Sequence, residues 1–246
     1  MTQHALVVGA SRGIGLELTR QLLEAGYVVH AASRRPTEAR ELMRLAARHP
    51  ELHPVAMDLT DEESIASAVA EVGSRTERLH RVLVVAGVLH GPGFGPERKL
   101  EELTAEALSA VFAVNAFGPI LVAREVLPLL RHDEPAVFAS LSARVGSISD
   151  NHKGGWYAYR ASKAAQNMLT RTLTIELGRR AKNVCVLALH PGTVDTDLSK
   201  PFQRFVPEEQ LFDVQRAARQ LLDLTEQATP EQSGSFYAWD GSIIPW

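Results

Sequence analysis

Short β-branched runs alternate with longer helical patterns along all 246 residues, and this alternation limits the chain to few folds. The runs that favour strands cover residues 5–9, 28–32, 53–57, 82–86, 136–141, 184–189 and 235–239. The helical patterns cover residues 14–24, 38–48, 62–74, 103–130, 157–178 and 214–226, and Pro119 is a candidate break in the fourth. Strands that are apolar on both faces and are joined by helices predict a parallel sheet covered on both sides.

Right-handed crossovers between such strands lead to an α/β fold with a doubly wound, Rossmann-like parallel sheet and helices on both faces. No internal repeat and no linker-like tract divides the chain, so a single domain over residues 1–246 is expected. Ligands of such sheets bind beyond the carboxyl ends of the strands. We therefore expect the chemistry just after the first, fourth, fifth and sixth strands.

The charges of the chain are scattered, with 26 Lys and Arg against 29 Asp and Glu. The absence of a basic stripe argues against a nucleic-acid or anionic-membrane partner. The apolar runs, such as residues 82–89, are shorter than the roughly 20 residues that span a bilayer, and the first residues do not resemble a targeting segment. The one cysteine, Cys185, excludes an internal disulfide. A cytoplasmic location is expected, and no metal site is predicted.

A glycine-rich segment, Gly9-Ala10-Ser11-Arg12-Gly13-Ile14-Gly15, follows the first predicted strand and leads into a helix. Glycines in this position allow a tight turn and a close approach of the backbone to a pyrophosphate at the helix N-terminus. An ordinary strand-to-helix turn is the alternative, but the place of the segment in the α/β alternation favours a dinucleotide. The candidate cofactor-binding residues here are Gly9, Ser11, Arg12, Gly13, Ile14 and Gly15.

The end of the second strand indicates which dinucleotide binds. An acidic residue there would bind a ribose 2′-hydroxyl and repel a 2′-phosphate, and residues 32–35 contain none. Arg34 offers a charged fork for a phosphate, Ser33 a hydroxyl and Arg12 a second cation, although a solvated arginine pair is the alternative. NADP is therefore the favoured cofactor. At the end of the third strand, Asp58 and Leu59 are expected near the adenine, unless Asp58 only caps the next helix.

Tyr159 and Lys163 lie four residues apart on a predicted helix and so share a face. An unperturbed tyrosine pKa near 10 is too high for proton exchange at neutrality, and lowering it by about three units requires about 4 kcal/mol. A nearby ammonium and an oxidised nicotinamide would both favour the phenolate. Tyr159 could then protonate a carbonyl oxygen as hydride arrives, or accept the proton in reverse. Tyr157 lies on a different helix face and is interpreted as a packing residue.

Four motifs occur in the order seen in the short-chain dehydrogenases/reductases, and the resemblance covers essentially the whole chain. They are the glycine-rich segment, Asn115, Tyr159-Arg160-Ala161-Ser162-Lys163, and His190-Pro191-Gly192-Thr193-Val194-Asp195-Thr196. Residues 143–148, 155–160 and 239–246 look like the branch that contains C-factor and the sniffer-type carbonyl reductases. The resemblance implies hydride transfer between NADP(H) and a carbonyl or alcohol substrate.

The resemblance also implies roles for individual residues. Tyr159 would be the acid/base, Lys163 would hold the nicotinamide ribose and lower the tyrosine pKa, and Asn115 would position a water in the proton relay. A homo-oligomer, a dimer or tetramer, is implied too, with a contact that the apolar residues 107–114 would suit. The remaining residues expected at the cofactor are Ala86, Gly87, Pro191, Gly192, Val194 and Thr196.

Two departures from the family pattern affect these expectations. The family's Asn-Asn-Ala-Gly after strand four is Val-Val-Ala-Gly at residues 84–87, and the second residue of its usual Ser-Ser pair is Ala143. Ser142 is the preferred candidate for the catalytic serine, with Ser140, Ser147 or no serine as alternatives. Because a shift of one residue reverses the facing direction in a strand, Ser142 can serve only if the backbone has already left strand geometry.

The substrate region is the least defined part of the sequence. Residues 197–210 contain Phe202 and Phe205 and resemble a mobile lid, and Trp156, His90 and Trp246 are candidate lining residues, with core packing as the alternative. Three functions follow. The first is an NADPH-dependent carbonyl reductase, the second a dinucleotide-binding regulatory protein with little turnover, and the third an NAD-dependent alcohol dehydrogenase. The missing acidic residue after strand two disfavours the third.

Overall fold

A computed structural model describes residues 2–246 and confirms the doubly wound α/β fold. Seven parallel strands form one sheet in the order β3-β2-β1-β4-β5-β6-β9, and the order reverses beside β1 as in other doubly wound sheets. These strands are β1 (His4–Val8), β2 (Val28–Ser33), β3 (Leu52–Ala56), β4 (Arg81–Val84), β5 (Ala136–Leu141), β6 (Val184–His190) and β9 (Ser235–Ala238).

Within residues 2–246, seven α-helices connect the strands or follow them. They are α1 (Gly13–Glu24), α2 (Arg40–Ala46), α3 (Glu62–Gly73), α4 (Ala105–Phe112), α5 (Gly118–Leu130), α6 (Tyr157–Arg180) and α7 (Val214–Glu226). Two short strands that the sequence did not predict, β7 (Thr193–Val194) and β8 (Leu211–Phe212), pair in parallel as a separate ribbon. This ribbon ties the segment after β6 to the start of α7.

Both faces of the sheet are buried, which explains the continuous apolar runs of its strands. Successive side chains point to opposite faces, so Leu6 packs on one side with Val122 and Val126 of α5. Val7 packs on the other side with Leu18 of α1 and residues of α7. The two apolar layers hold the carboxyl ends of β1, β4, β5 and β6 along one edge of the sheet, which we call the carboxyl edge.

The predicted helix 103–130 is not broken at Pro119. Pro119 lies in the first turn of α5, where a missing N–H is tolerated, and α4 continues into α5 through a π-helical turn, Ala113–Phe117. The resulting segment, Ala105–Leu130, has 26 residues and by length and composition alone could cross a bilayer, which the sequence expectation of short apolar runs overlooked. In this fold Val122 and Val126 belong to the core, as in the core helices of many proteins.

Candidate active site

The glycine-rich turn between β1 and α1 is packed so closely that side chains are excluded at two positions. A Cβ on Gly9, whose φ is +98°, would lie 2.7 Å from the backbone nitrogen of Ala86. A Cβ on Gly15 would lie 2.2 Å from the carbonyl oxygen of Gly9. The turn therefore lies directly against the loop that follows β4, and α1 starts at its edge with backbone N–H groups available to an anion.

The end of β2 carries a buried hydroxyl and a neighbouring cation. Ser33 is 7% exposed, and its Oγ has no hydrogen-bond partner within residues 2–246. The exposed Arg34 forms no ion pair in the same part of the chain, whereas Arg35 pairs with Glu38. Because buried polar groups are normally satisfied, the orphaned hydroxyl next to a free guanidinium fits a phosphate ligand at this position.

Arg12, the expected second cation, is engaged elsewhere in this structure. Its guanidinium pairs with Asp197 at 3.0 Å, and Lys200 pairs with the same carboxylate at 2.6 Å. These two cations hold the pKa of Asp197 below its usual value, the Lys200 hydrogen bond being the larger cause. The ion pair between Arg12 and Asp197 joins the glycine-rich turn to the segment after β7.

Asp58 and Leu59 have structural partners. The carboxylate of Asp58 accepts hydrogen bonds from the backbone N and the Oγ1 of Thr60, at 2.9 and 2.7 Å. Asp61, and not Asp58, is the residue that caps α3. Leu59 is buried in the core against Gly118, where a Cβ would lie 2.7 Å from the Leu59 Cβ. Contact of either residue with an adenine stays a prediction.

The segment after β6 reaches back to the glycine-rich turn. Pro191 precedes Gly192, whose φ is +78° and whose Cβ would lie 2.6 Å from the Phe212 ring. Thr196 follows Val194 of β7, and its methyl carbon lies 3.3 Å from the position of a Cβ on Gly13. Val194 and Thr196 are thus close to the turn that would hold a dinucleotide.

Tyr159 and Lys163 are both buried near the start of α6, at 8% and 3% exposure. The Lys163 Nζ lies 5.9 Å from the centroid of the Tyr159 ring. Burial disfavours the charged form of each group, so it raises the pKa of Tyr159 and lowers that of Lys163 to about 7. The Lys163 ammonium donates to the Leu141 carbonyl oxygen at 2.6 Å and to the Gln166 Oε1 at 2.9 Å.

Asn115 lies in the π-helical turn and is fully buried. Its side chain donates to the Val88 carbonyl oxygen and accepts from the Val88 N–H, both at 2.8 Å, and its Nδ2 also lies 3.1 Å from the Ser162 Oγ. A Cβ on Gly87 would meet both the Asn115 Oδ1 and the Lys163 Nζ. Asn115 therefore fixes the loop after β4 beside Lys163, and π-helical turns occur frequently at functional sites.

The structure does not place the Ser142 hydroxyl in the position expected of it. The Ser142 N–H still bonds to Leu189 of β6 at 2.8 Å, and Ala143 is also extended, so the backbone has not left strand geometry. The Ser142 Oγ donates to the Asn167 Oδ1 at 2.6 Å, two helical turns beyond Tyr159. Ala143 is the residue of this pair that packs in the apolar cluster around Tyr159.

The alternative serines also have other partners. The Ser140 Oγ lies 3.4 Å from the Thr170 hydroxyl, and the Ser147 Oγ accepts from the Asp150 N–H. Both serines are almost completely buried. The geometry therefore favours the last of the sequence alternatives, a site in which no serine hydroxyl accompanies Tyr159.

An apolar cluster surrounds Tyr159. Trp156, in a left-handed conformation with φ of +54°, packs against Phe202 at 5.0 Å and against Tyr159 at 6.3 Å between ring centroids. Other members of this cluster are Leu89, Phe94, Leu103, Val145 and Leu198. Trp156 and Phe202 thus occupy the predicted substrate region, and residues 200–205 form a 3₁₀ helix.

Three aromatic predictions need correction or refinement. Trp246 stacks on Phe236 of β9, 5.4 Å away, and its carbonyl oxygen accepts from Ser149, so it packs at the sheet end instead of in the Tyr159 cluster. His90 contacts the Asp197 carbonyl oxygen at 3.2 Å. Tyr157, expected to pack, is 40% exposed because its helix face points outward.

Two buried polar residues at this site were missed by the sequence reasoning. Glu97, 3% exposed, accepts from the Ala158 N–H through its carboxylate and from the Trp156 N–H through its carbonyl oxygen. It lies in an irregular loop, and no periodic signal could have found it. Gln166 could have been found, because it follows Lys163 by three residues and so shares its helix face.

The matched motifs and the fold together define a class of protein. The short chain dehydrogenase family model matches residues 3–206, and the chain belongs to this family. A curated relative, the 1-hydroxy-2-glutathionyl-2-methyl-3-butene dehydrogenase of Rhodococcus sp. (strain AD45), is 35% identical over 241 residues and 98% of both chains.

Solved structures add two similar proteins. The NADPH-bound carbonyl reductase from chicken fatty liver is 30% identical and superposes with a TM-score of 0.89, covering 100% of this chain and 94% of that one. The carbonyl reductase Sniffer of D. melanogaster is 26% identical with a TM-score of 0.88, and the match covers 100% of both chains. The resemblance to the carbonyl reductase and sniffer-like relatives is thus confirmed.

Proposed function

We propose that this chain is an NADPH-dependent carbonyl reductase and that residues 1–246 form one short-chain dehydrogenase domain. The observation that carries the proposal is the burial of Tyr159 and Lys163 together at the carboxyl edge, close to the loops that bear Ala86 and Gly87. The carbonyl reductases among the similar structures, one of them NADPH-bound, support the same chemistry.

The residues of this chain fit the cofactor. The glycine-rich turn has no room for side chains at Gly9 or Gly15 and so offers backbone to a pyrophosphate. The orphaned Ser33 hydroxyl and the free Arg34 guanidinium suit a 2′-phosphate. When bound, NADPH supplies the hydride. Lys163 would hold the nicotinamide ribose, with Val194 and Thr196 at the carboxamide.

Tyr159 would act as the proton donor in reduction. Its hydroxyl gives a proton to the carbonyl oxygen as the carbonyl carbon receives hydride, so that an alcohol and a tyrosinate result. The Lys163 ammonium stabilises that tyrosinate, which opposes the effect of burial on the tyrosine pKa. The Trp156 and Phe202 rings keep water from the reacting carbonyl and favour apolar or aromatic substrates. Asn115 holds the Val88 backbone and would position the relay water.

Titration of the protein with NADPH and with NADH tests the cofactor preference. NADPH consumption, followed at 340 nm with a panel of aldehydes and ketones, then tests carbonyl reduction. We expect tighter binding of NADPH. Arg34→Asp should weaken NADPH binding by about 10- to 100-fold, since a charge-assisted hydrogen bond contributes about 1.5–3 kcal/mol, while Arg35→Asp serves as the neighbouring control. Equal affinity of the native protein for both cofactors would contradict the assignment.

A regulatory protein with little turnover is the second candidate, and one observation favours it. Ala143 occupies the place beside Tyr159 where a hydroxyl would orient the carbonyl, and Ser142 faces Asn167. NADPH binding without consumption across the carbonyl panel would support this candidate over the reductase.

We also propose a cytoplasmic homo-oligomer. Met168 and Ile175 lie two turns apart on α6 and are 67% and 53% exposed, and Phe117 in the π-helical turn is 51% exposed. This apolar surface is a better contact than residues 107–114, in which Ala107 and Val111 face inward. Sedimentation should show a dimer or tetramer at micromolar concentration, and Met168→Glu should shift it toward the monomer.

A further inference from the structure

Lys163 is held by a neutral partner that takes no part in the proposed proton transfer. Its Nζ donates to the Gln166 Oε1 at 2.9 Å and to the Leu141 carbonyl oxygen at 2.6 Å. The Gln166 Nε2 donates to the same Leu141 oxygen at 3.2 Å. The three groups close a triangle of hydrogen bonds at the carboxyl end of β5.

The chemistry of the groups fixes the orientation of the amide. An ammonium has three donors and no acceptor, so the oxygen of Gln166 must face Lys163 and its NH₂ group must face the Leu141 carbonyl. Gln166 is 2% exposed, and reversing the amide would bury two opposed donors. Two of the three ammonium donors are then engaged, which leaves one for a ribose hydroxyl.

No carboxylate of residues 2–246 lies within ion-pair distance of the Lys163 ammonium. The groups that face it are the Gln166 amide and Tyr159 on α6, the Leu141 carbonyl of β5, Asn115 from the π-helical turn and Gly87 from the loop after β4. Tyr159 is the one titratable group among them. The positive charge of Lys163 therefore acts on Tyr159 without an anion to offset it.

We propose that Gln166 is a positioning residue for Lys163, one that holds the protonated amine in place with a neutral acceptor, so that no anion offsets its charge at Tyr159. This inference rests on the proposed function of the same site. A carboxylate at position 166 would hold the ammonium equally well but would offset its charge. An apolar residue there would leave the ammonium tied to Leu141 alone.

Two variants of nearly the same shape test separately how Gln166 affects the position of the Lys163 ammonium and how it affects the charge around it. Gln166→Met removes the acceptor, so kcat should fall at least fivefold and NADPH affinity should weaken, while the KM of the carbonyl substrate stays within twofold. Gln166→Glu keeps the acceptor and should retain NADPH affinity. In both variants the pKa seen in the pH profile of alcohol oxidation should rise. In Gln166→Met the ammonium is no longer held where it stabilises the tyrosinate, and in Gln166→Glu the new carboxylate opposes the tyrosinate charge.

Gln21→Met is the matched control. Gln21, on α1, is also a buried helical glutamine and is 4% exposed. Its Nε2 donates to the Glu17 carboxylate and to the Gln215 carbonyl oxygen, and all three residues lie on the face of the sheet opposite to α6. Its replacement should lower the melting temperature and leave kcat and the pH profile unchanged. If Gln166→Met behaves in the same way, Gln166 is only a packing residue and the proposal is wrong.

A readout without substrate keeps this proposal separate from the proposed function. NMR titration of the isotope-labelled lysine ε-amino groups reports the Lys163 pKa in the free protein. Gln166→Glu should raise that pKa by at least one unit, since the new carboxylate favours the ammonium. An unchanged Lys163 pKa overturns the Gln166 proposal even if the native enzyme reduces carbonyls, whereas a raised pKa in a protein without turnover contradicts only the proposed function.

Discussion

The two edges of the central sheet both bury titratable side chains, but in different surroundings. At the opposite, amino end, His53, His30 and His4 lie on the adjacent strands β3, β2 and β1. Neighbouring rings are 5.4 and 5.7 Å apart. His80, at the start of β4, accepts from the His4 N–H at 3.1 Å and contacts Glu134. We call these four residues the histidine row.

The difference lies in what surrounds the groups. The histidines contact one another, and His80 also contacts Glu134 and His132. The further charged neighbours are Arg75, Glu71, Glu51 and Arg81. Burial is the largest cause lowering the pKa of each histidine, that of His30 to about 3. Tyr159 and Lys163, in contrast, lie beside the Gly87 loop and an apolar cluster. A perturbed pKa therefore indicates function only together with a motif that fits a ligand, as the glycine-rich turn does at the carboxyl edge.

The largest expected effect is a loss of enzyme activity on changing a residue at the carboxyl edge. Tyr159→Phe should lower kcat by about 10²- to 10⁴-fold, the usual contribution of a positioned acid, with NADPH affinity nearly unchanged. No hydrogen bond within residues 2–246 engages the Tyr159 hydroxyl, so the melting temperature should hardly move. Near-native turnover of this variant in the 340 nm assay would contradict the proposed mechanism.

The second prediction concerns the amino end, where His30 should make the free energy of unfolding depend on pH. His30 has a folded-state pKa of about 3, below the value of 6.5 of an unperturbed histidine. The unfolded chain therefore binds more protons in this window, and stability is fully present above about pH 6.5 and is lost as the pH falls toward 3. At pH 5 the loss from His30 alone should be about 2 kcal/mol.

His30→Leu is the variant that checks this loss. Urea unfolding at pH 7 and pH 5 should show a smaller decrease in stability than in the native protein, and turnover at pH 7 should be retained because His30 lies far from the cofactor turn along β2. His152→Leu, a change of an exposed histidine outside the row, is the control. An equal decrease in the native protein and in His30→Leu would remove His30 as the cause.

The sequence predicted most of the fold because its strands are buried on both faces, and it placed candidate site residues after strand ends that the structure brings together. Glycine patterning located the turn at Gly9, and helical spacing located Lys163 beside Tyr159. Strand and helix ends agreed or differed by at most two residues, as expected where terminal turns fray. The π-helical turn around Asn115 escaped prediction because apolar residues continue through the whole predicted helix 103–130 and hide the shift that an extra residue causes.

The features that the sequence did not predict depend mostly on contacts between residues far apart in sequence. The histidine row arises only when β1, β2 and β3 align, since His4, His30 and His53 are more than twenty residues apart in sequence. The β7–β8 ribbon is two residues long on each side and leaves no periodic signal. Trp246 could be placed at Phe236 only after β9 had been placed at the sheet edge.

The smallest expected effects concern the serine that the sequence favoured. Ser142→Ala removes the hydrogen bond to Asn167 and should lower the free energy of unfolding by about 1 kcal/mol. Because the hydroxyl faces away from the Tyr159 cluster, kcat/KM for a carbonyl substrate that the enzyme reduces should stay within about twofold. Ala143→Ser introduces a hydroxyl on the face that Tyr159 shares, where a donor stabilises charge developing on the carbonyl oxygen. We expect kcat/KM to rise by threefold or more, with NADPH affinity unchanged. A tenfold drop in kcat/KM for Ser142→Ala, without a change in NADPH affinity, would return Ser142 to the site and would require the end of β5 to twist when substrate binds.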